Sequence, residues 1–250
     1  MRPFFSIIVP SLNEEINLPI LLRSIKNQTE KDYEVIVIDS LSTDNTKKES
    51  EKFKNTIKNF QFIIRRCKNV SMARNYGASL SQGKFLIFFD ADVELEKDFI
   101  SEIKKKIQKF NLDMTTVWNQ PKTKSLTGKA VLFLLNINMT LFEKIKPAAN
   151  GPCIIIKKEL FDKIGHFDEQ IIFGEDFDLV QKAHKQKAIF KVFAKPVLYV
   201  STRRFEKEGL LHSLYKSIKA ILYQLFFGPI KKPIFDYEMG GQYYKKNIKY

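Results

Sequence analysis

An alternation of strand-length apolar runs with helical stripes constrains this chain most. Phe4-Phe5-Ser6-Ile7-Ile8-Val9-Pro10 gives way to the polar turn Ser11-Leu12-Asn13-Glu14-Glu15, after which Leu18, Leu21, Leu22 and Ile25 recur at helical spacing. A second run, Glu34-Val35-Ile36-Val37-Ile38-Asp39, enters Ser40-Leu41-Ser42-Thr43-Asp44-Asn45-Thr46, whose hydroxyl and carboxylate side chains can cap the next helix. A third, Lys84-Phe85-Leu86-Ile87-Phe88-Phe89, ends in Asp90-Ala91-Asp92. A β-α-β-α rhythm of this kind implies an α/β sheet, and such sheets bind ligands outside the carboxyl ends of their strands. The Pro10–Glu14 turn, Asp39 and the Asp90/Asp92 pair would therefore share one rim.

Residues i and i+2 of an extended segment share a face, so Asp90 and Asp92 leave the strand on the same side. Mg²⁺ and Mn²⁺ are hard ions, often held by one or two carboxylates plus substrate phosphates. On the pair alone, a metal–phosphate site and a solvated acidic turn are both open readings. Glu175-Asp176 follows Gly174 at the start of an expected helix through Leu179, Val180 and Ala183. Acidic residues suit a helix's first turn electrostatically, so that pair has both a structural and a functional reading. Arg74 is expected in the first turn of a helix capped by Ser71, where a cation opposes the macrodipole and suggests another task.

In order along the chain, Ser6-Ile7-Ile8-Val9-Pro10 with Asn13-Glu14, Val37-Ile38-Asp39 with Ser42-Thr43-Asp44, Ala73-Arg74-Asn75-Tyr76-Gly77 and Asp90-Ala91-Asp92 resemble the signature of the family 2 glycosyltransferases. The likeness continues through Asn150-Gly151-Pro152, residues 161–169 and Gly174-Glu175-Asp176-Phe177-Asp178-Leu179. One departure is Ser40-Leu41, where the family often shows an acidic or amide residue and a glycine. The resemblance implies a single GT-A-type α/β domain over 1–202, with a Rossmann-like nucleotide half (1–100), an acceptor half (101–202) and a mixed central sheet. It implies inverting, metal-dependent transfer from a nucleotide sugar, a UDP-sugar ahead of a GDP-sugar, to a glycan or lipid-linked acceptor. Carried over residue by residue, Pro10, Leu12, Glu14 and Asp39 would hold the nucleoside, Asp90 the ribose, and Asp90 with Asp92 the Mg²⁺ or Mn²⁺. Asp176, with Glu175 beside it, would be the catalytic base, and Arg74, Arg203 and Arg204 would meet the donor.

The net charge of +14 is concentrated, with +6 in 101–147 and +6 in 203–250. Both segments are also apolar: one holds Ala130-Val131-Leu132-Phe133-Leu134-Leu135, the other Leu210, Leu214, Ile218, Ile221, Leu222 and Leu225 at helical spacing. Neither reaches the ~20 apolar residues a bilayer span needs. Basic amphipathic stretches at 129–142 and 207–226 instead suggest an anionic membrane surface as partner, the alternative being packing on the domain's own core. The 203–250 segment is thus expected as a basic amphipathic helical tail.

Cys67 and Cys153 are isolated, which fits a reducing compartment, and no signal-peptide pattern opens the chain. A cytoplasmic protein, peripheral on the inner face of the membrane, is the expectation. His166, His184 and His212 lack zinc-ligand spacing. Only seven of 42 basic residues are arginine and no recognition module appears, which argues against a nucleic-acid partner. A nucleotidyltransferase is the enzyme alternative, but the turn after the first strand is acidic and lacks glycine.

Overall fold

The computed structural model describes residues 2–122, 126–201, 215–216, 219–220, 223–224, 227–232 and 234. The first half folds as β1 (Phe5–Ser11), α1 (Leu18–Lys26), β2 (Tyr33–Asp39), α2 (Thr46–Glu51), β3 (Phe60–Ile64), α3 (Val70–Leu80), β4 (Phe85–Phe89) and β5 (Val93–Leu95). There follow α4 (Phe99–Phe110), β6 (Met114–Pro121), α5 (Leu126–Leu141), β7 (Cys153–Lys157), α6 (Lys158–Lys163), α7 (Glu175–Lys185) and β8 (Phe190–Val200). Among the described residues the strands form one sheet in the order β3-β2-β1-β4-β7-β6-β8-β5. β3, β2, β1 and β4 run parallel, β7 is antiparallel to both β4 and β6, and β6 is parallel to β8. The mixed sheet is as expected. β5 leaves the first half and pairs antiparallel with β8 at the far edge.

β1, β2 and β4 read as near-continuous apolar runs because helices cover both faces of a parallel sheet. Leu18, Leu21, Leu22 and Ile25 of α1 are all buried on one face, with Phe5, Val35 and Phe85 in the same core. On the other face α3 packs so closely that a Cβ on Gly77 would meet Ile8 Cγ2 at 2.5 Å. Glu34, a carboxylate buried in the β1–β2 layer, is satisfied locally. Glu34 Oε1 accepts from Ser6 Oγ (2.6 Å) and Gln82 N (2.7 Å), and Gly83 N donates to Ser6 Oγ (2.8 Å).

α5 departs from the expected amphipathic pattern. Asn136 is buried, its side chain accepting from Asn119 N (3.0 Å) and donating to Asn119 O (2.8 Å). The physical reason lies in the sheet: β7 pairs with β6 only at Met114 and Thr115, so the backbone of Asn119 needs a partner beyond that strand. The polar residue therefore faces inward, while Phe133, Leu134, Leu135 and Leu141 face outward. No described helix is long and apolar enough to cross a membrane. The expected tail helix falls largely outside the described residues, as do Arg203 and Arg204. Its described part returns to the domain: Ile172 N donates to Ile230 O (2.8 Å), Ile230 is buried, and Lys231 pairs with Asp168 (2.9 Å).

Candidate active site

The loops after β1 and β2 are laced together at the rim. Asn13 N donates to Ser42 Oγ (2.8 Å), Asn13 Oδ1 accepts from Thr43 N (2.8 Å), and Glu14 N donates to Thr46 Oγ1 (2.8 Å). Glu14 Oε2 in turn accepts from Asn17 Nδ2 (2.8 Å), which fixes the turn on the start of α1. Asp39 ends β2 as a buried carboxylate whose two oxygens take Ser42 Oγ (2.5 Å) and Ser42 N (2.9 Å). Burial pushes its pKa up despite those two bonds. At the Ser40-Leu41 departure Leu41 adopts φ 66°, a left-handed backbone that a glycine enters readily and a leucine only with strain. Pro10 and Leu12 are half-buried on the same segment.

The second part of the site is built around Arg74, which is 1 % exposed. Its Nη1 donates to Glu175 Oε1 (2.8 Å), and its Nη2 to Asp90 Oδ1 (2.8 Å) and Gly151 O (3.2 Å). Three elements far apart in sequence, α3, the end of β4 and the start of α7, thus meet on one guanidinium. The guanidinium lies 5.2 Å over the Phe167 ring. Burial alone would lower its pKa, but Asp90, Glu175 and Asp176 together raise it, so the cation is permanent. α3 is capped by Asn69, not by Ser71 as expected. Asn69 is extended (φ −152°, ψ 173°) and its side chain accepts from Met72 N at 2.9 Å, whereas Ser71 lies inside the first turn with its hydroxyl buried. Arg74 is then past the first turn, and its acidic neighbours, not the helix end, account for it.

α7 starts where expected, at Glu175, with Gly174 in the left-handed conformation (φ 81°). Asp176 is half-buried: its Oδ1 accepts from Phe177 N (2.8 Å), and a Cβ on Gly151 would stand 3.3 Å from Oδ2. Burial, and then the neighbouring Glu175 charge, push its pKa up to about 7. A carboxylate there can exchange a proton near neutrality. At the end of β4, Asp90 N donates to Pro152 O (3.3 Å), fastening the acidic turn to the strand that enters β7.

Asp90 directly follows β4 and Asp92 lies in the turn before β5, not on an extended segment as expected, so the two are the acids that would hold a hard divalent cation without the same-face geometry of a strand. Asp90 keeps 35 % of its side-chain surface exposed, with Arg74 engaging Oδ1, and Asp92 is half-buried two residues on. No group of three or more acidic, histidine or cysteine ligands occurs among the described residues. Two carboxylates completed by substrate phosphate oxygens is nonetheless a usual way of holding Mg²⁺. Polar atoms at the rim await partners: Ser11 Oγ and Asn150 Nδ2 are buried without a hydrogen bond. Neither was singled out from the sequence, and only the Asn150-Gly151-Pro152 segment signalled the second.

Residues 6–165 match the family model described as glycosyl transferase family 2. Among its relatives, glycosyltransferase AglE of Haloferax volcanii is 26% identical over 72% of this chain and 61% of its own length. An uncharacterised glycosyltransferase of Haemophilus influenzae is 31% identical over 71% of this chain and 60% of its own. The chain thus spans about three-fifths of the length of these relatives. In fold it resembles the crystal structure of Staphylococcus aureus TarS 1–349 in complex with UDP-GlcNAc (TM-score 0.66, 22% identity, 81% of this chain and 59% of that one). It also resembles the mannosyltransferase PcManGT of Pyrobaculum calidifontis in complex with GDP-Man and Mn²⁺ (TM-score 0.67, 19% identity, 88% and 65%).

Proposed function

The chain belongs to glycosyltransferase family 2 and has the GT-A fold, and from that premise we propose that it transfers a hexosyl-type sugar from a nucleotide sugar to a glycan or lipid-linked acceptor, inverting the anomeric centre. A UDP-sugar is the first donor to test and a GDP-sugar the second, since the neighbours above hold UDP-GlcNAc and GDP-Man. The observation that carries the reading is the half-buried Asp176 carboxylate, its pKa raised to about 7, beside the Arg74–Asp90 pair.

In this reading Pro10, Leu12, Glu14 and Asp39 line the nucleoside cleft, and Asp90 takes the ribose. Arg74 serves the donor through Asp90, which it holds in place, and Arg203 and Arg204 meet the diphosphate. Asp90 and Asp92 hold Mg²⁺ or Mn²⁺, which when bound offsets the charge on the departing diphosphate. Asp176 takes the proton of the acceptor hydroxyl as that oxygen bonds to the anomeric carbon from the face opposite the leaving group. The bond to the diphosphate breaks in the same step, and its electron pair leaves with the nucleoside diphosphate. One base and one displacement give inversion. A phosphate acceptor would attack with its own anionic oxygen and leave Asp176 a positioning role. We place the enzyme in the cytoplasm, peripheral on an anionic membrane surface, through its two basic apolar segments.

A thermal-shift screen of UDP-sugars, GDP-sugars and nucleoside triphosphates, with Mn²⁺ or EDTA, tests this. A donor at 100 times its dissociation constant stabilises by about 2.7 kcal/mol. Stabilisation by a sugar nucleotide in Mn²⁺ is the expected result; stabilisation by triphosphates alone would transfer the chain to nucleotidyl transfer.

A further inference from the structure

The outward face of α5 and of the turn after it leaves six large apolar side chains exposed: Phe133, Leu134, Leu135, Leu141, Phe142 and Ile145. The helix ends at Leu141, but bonds from Phe142 N to Asn138 O (3.1 Å) and from Lys146 N to Phe142 O (2.9 Å) carry its course to residue 146. Inward lie Leu132, Asn136 and Met139, followed by Glu143, whose Oε2 accepts from Val192 N (2.7 Å). Outward lie Leu134, Leu141 and Ile145, 66%, 70% and 76% exposed and spaced two turns and then one turn apart, with Phe133 and Phe142 exposed beside them. Lys129, Lys144 and Lys146 are exposed along the same stretch, and its single acid, Glu143, is the one turned inward.

We propose that this face docks on an anionic bilayer surface, with the helix lying in the interface. The inference rests on the membrane-associated reading above and commits it to these residues. A surface whose ridge is apolar except for the exposed Asn138, with cations along its borders and no outward acids, complements lipid tails and anionic headgroups together. It does not complement itself: a two-fold pairing of two such faces would set lysines against lysines with no acid between them. Nor does it complement the 203–250 segment, which is also net positive by six charges. The ridge adjoins the site. Lys146 Nζ stands 5.7 Å from the Phe177 ring, and Gln181 Nε2 donates to Pro147 O (2.6 Å), so the end of α5 is fastened to α7 next to Asp176. A docked enzyme would therefore meet an acceptor anchored in the same bilayer on the Asp176 side.

Flotation of the full chain with phosphatidylcholine vesicles, with and without 30% phosphatidylglycerol, tests the proposal. Wild type should float with the anionic vesicles. Combined Leu134→Glu, Leu141→Glu and Ile145→Glu should lower that binding at least about tenfold, and the independent set Lys129→Gln and Lys144→Gln should weaken the preference for anionic lipid. Both sets should keep the wild-type melting temperature and Mn²⁺-dependent sugar-nucleotide binding, because the altered side chains face outward. Flotation of both sets equal to wild type overturns the proposal, as does a wild type that binds no vesicle. So does a wild-type dimer that the glutamate set converts to monomer without any lipid binding. Loss of donor binding in the wild type would instead strike the transferase reading and leave the docking result to stand separately.

Discussion

Replacing Asp176 with Asn should make the protein more stable and less active, and the stability gain should depend on pH. The carboxyl is half-buried beside Glu175, and its pKa rises from 3.8 to about 7 on folding. The folded state therefore holds this proton more tightly than the unfolded state does. As pH rises from about 4 to 7 the unfolded chain loses the proton first, and stability falls across that window. At 1.36 kcal/mol per pH unit the cost reaches about 4 kcal/mol by pH 8. Asn removes that cost and keeps an oxygen to accept from Phe177 N, as Asp176 Oδ1 does at 2.8 Å. Melting at pH 8 should accordingly rise by about 8–16 °C, at 2–4 °C per kcal/mol for a chain of this size. At pH 4 and below, the two proteins should melt together. Sugar transfer should drop by ~10²–10⁴, the contribution of a positioned general base, with donor affinity retained. A variant no more stable than wild type at pH 8, or more stable by the same margin at pH 4, would refute the argument.

Arg74→Met should cost about 3–5 kcal/mol, because Asp90 and Glu175 lose the cation that each meets at 2.8 Å; urea titration at neutral pH reads this directly. Gly83→Ala should cost about 2–3 kcal/mol without touching the site, since the added Cβ would stand 2.5 Å from Ser6 N and would disturb the Gly83–Ser6–Glu34 bonds. Its melting temperature should fall by about 4–12 °C while donor affinity per folded molecule stays unchanged.

The nucleotide half was legible in the sequence for a definite reason. Strands buried on both faces leave continuous apolar runs, and their ends are marked by the residues that turn the chain, so β1, β2 and β4 and the acids at their tips could be located from spacing alone. The meeting of Arg74 with Asp90, Gly151 and Glu175 could not, because it depends on where α3, β4 and α7 stand relative to one another and on no local pattern. The cap of α3 was missed by two residues: Asn69 and Ser71 can both cap, and backbone geometry at Asn69 decides between them. α5 misled in another way. Its one buried amide, Asn136, answers a backbone need of Asn119 that only the sheet's pairing reveals. The pairing of β5 with β8 is a long-range contact invisible to any window of sequence.

Calorimetric titration of the sugar nucleotide selected by the thermal-shift screen, with Mn²⁺ and then with EDTA, tests the central claim most directly. In wild type the account predicts binding in Mn²⁺ that is lost or strongly weakened in EDTA. In Asp92→Ala it predicts weak binding in both conditions, with a cooperative thermal transition showing that the fold persists. Equal affinity with and without EDTA in the wild type would contradict a metal–donor site at Asp90 and Asp92.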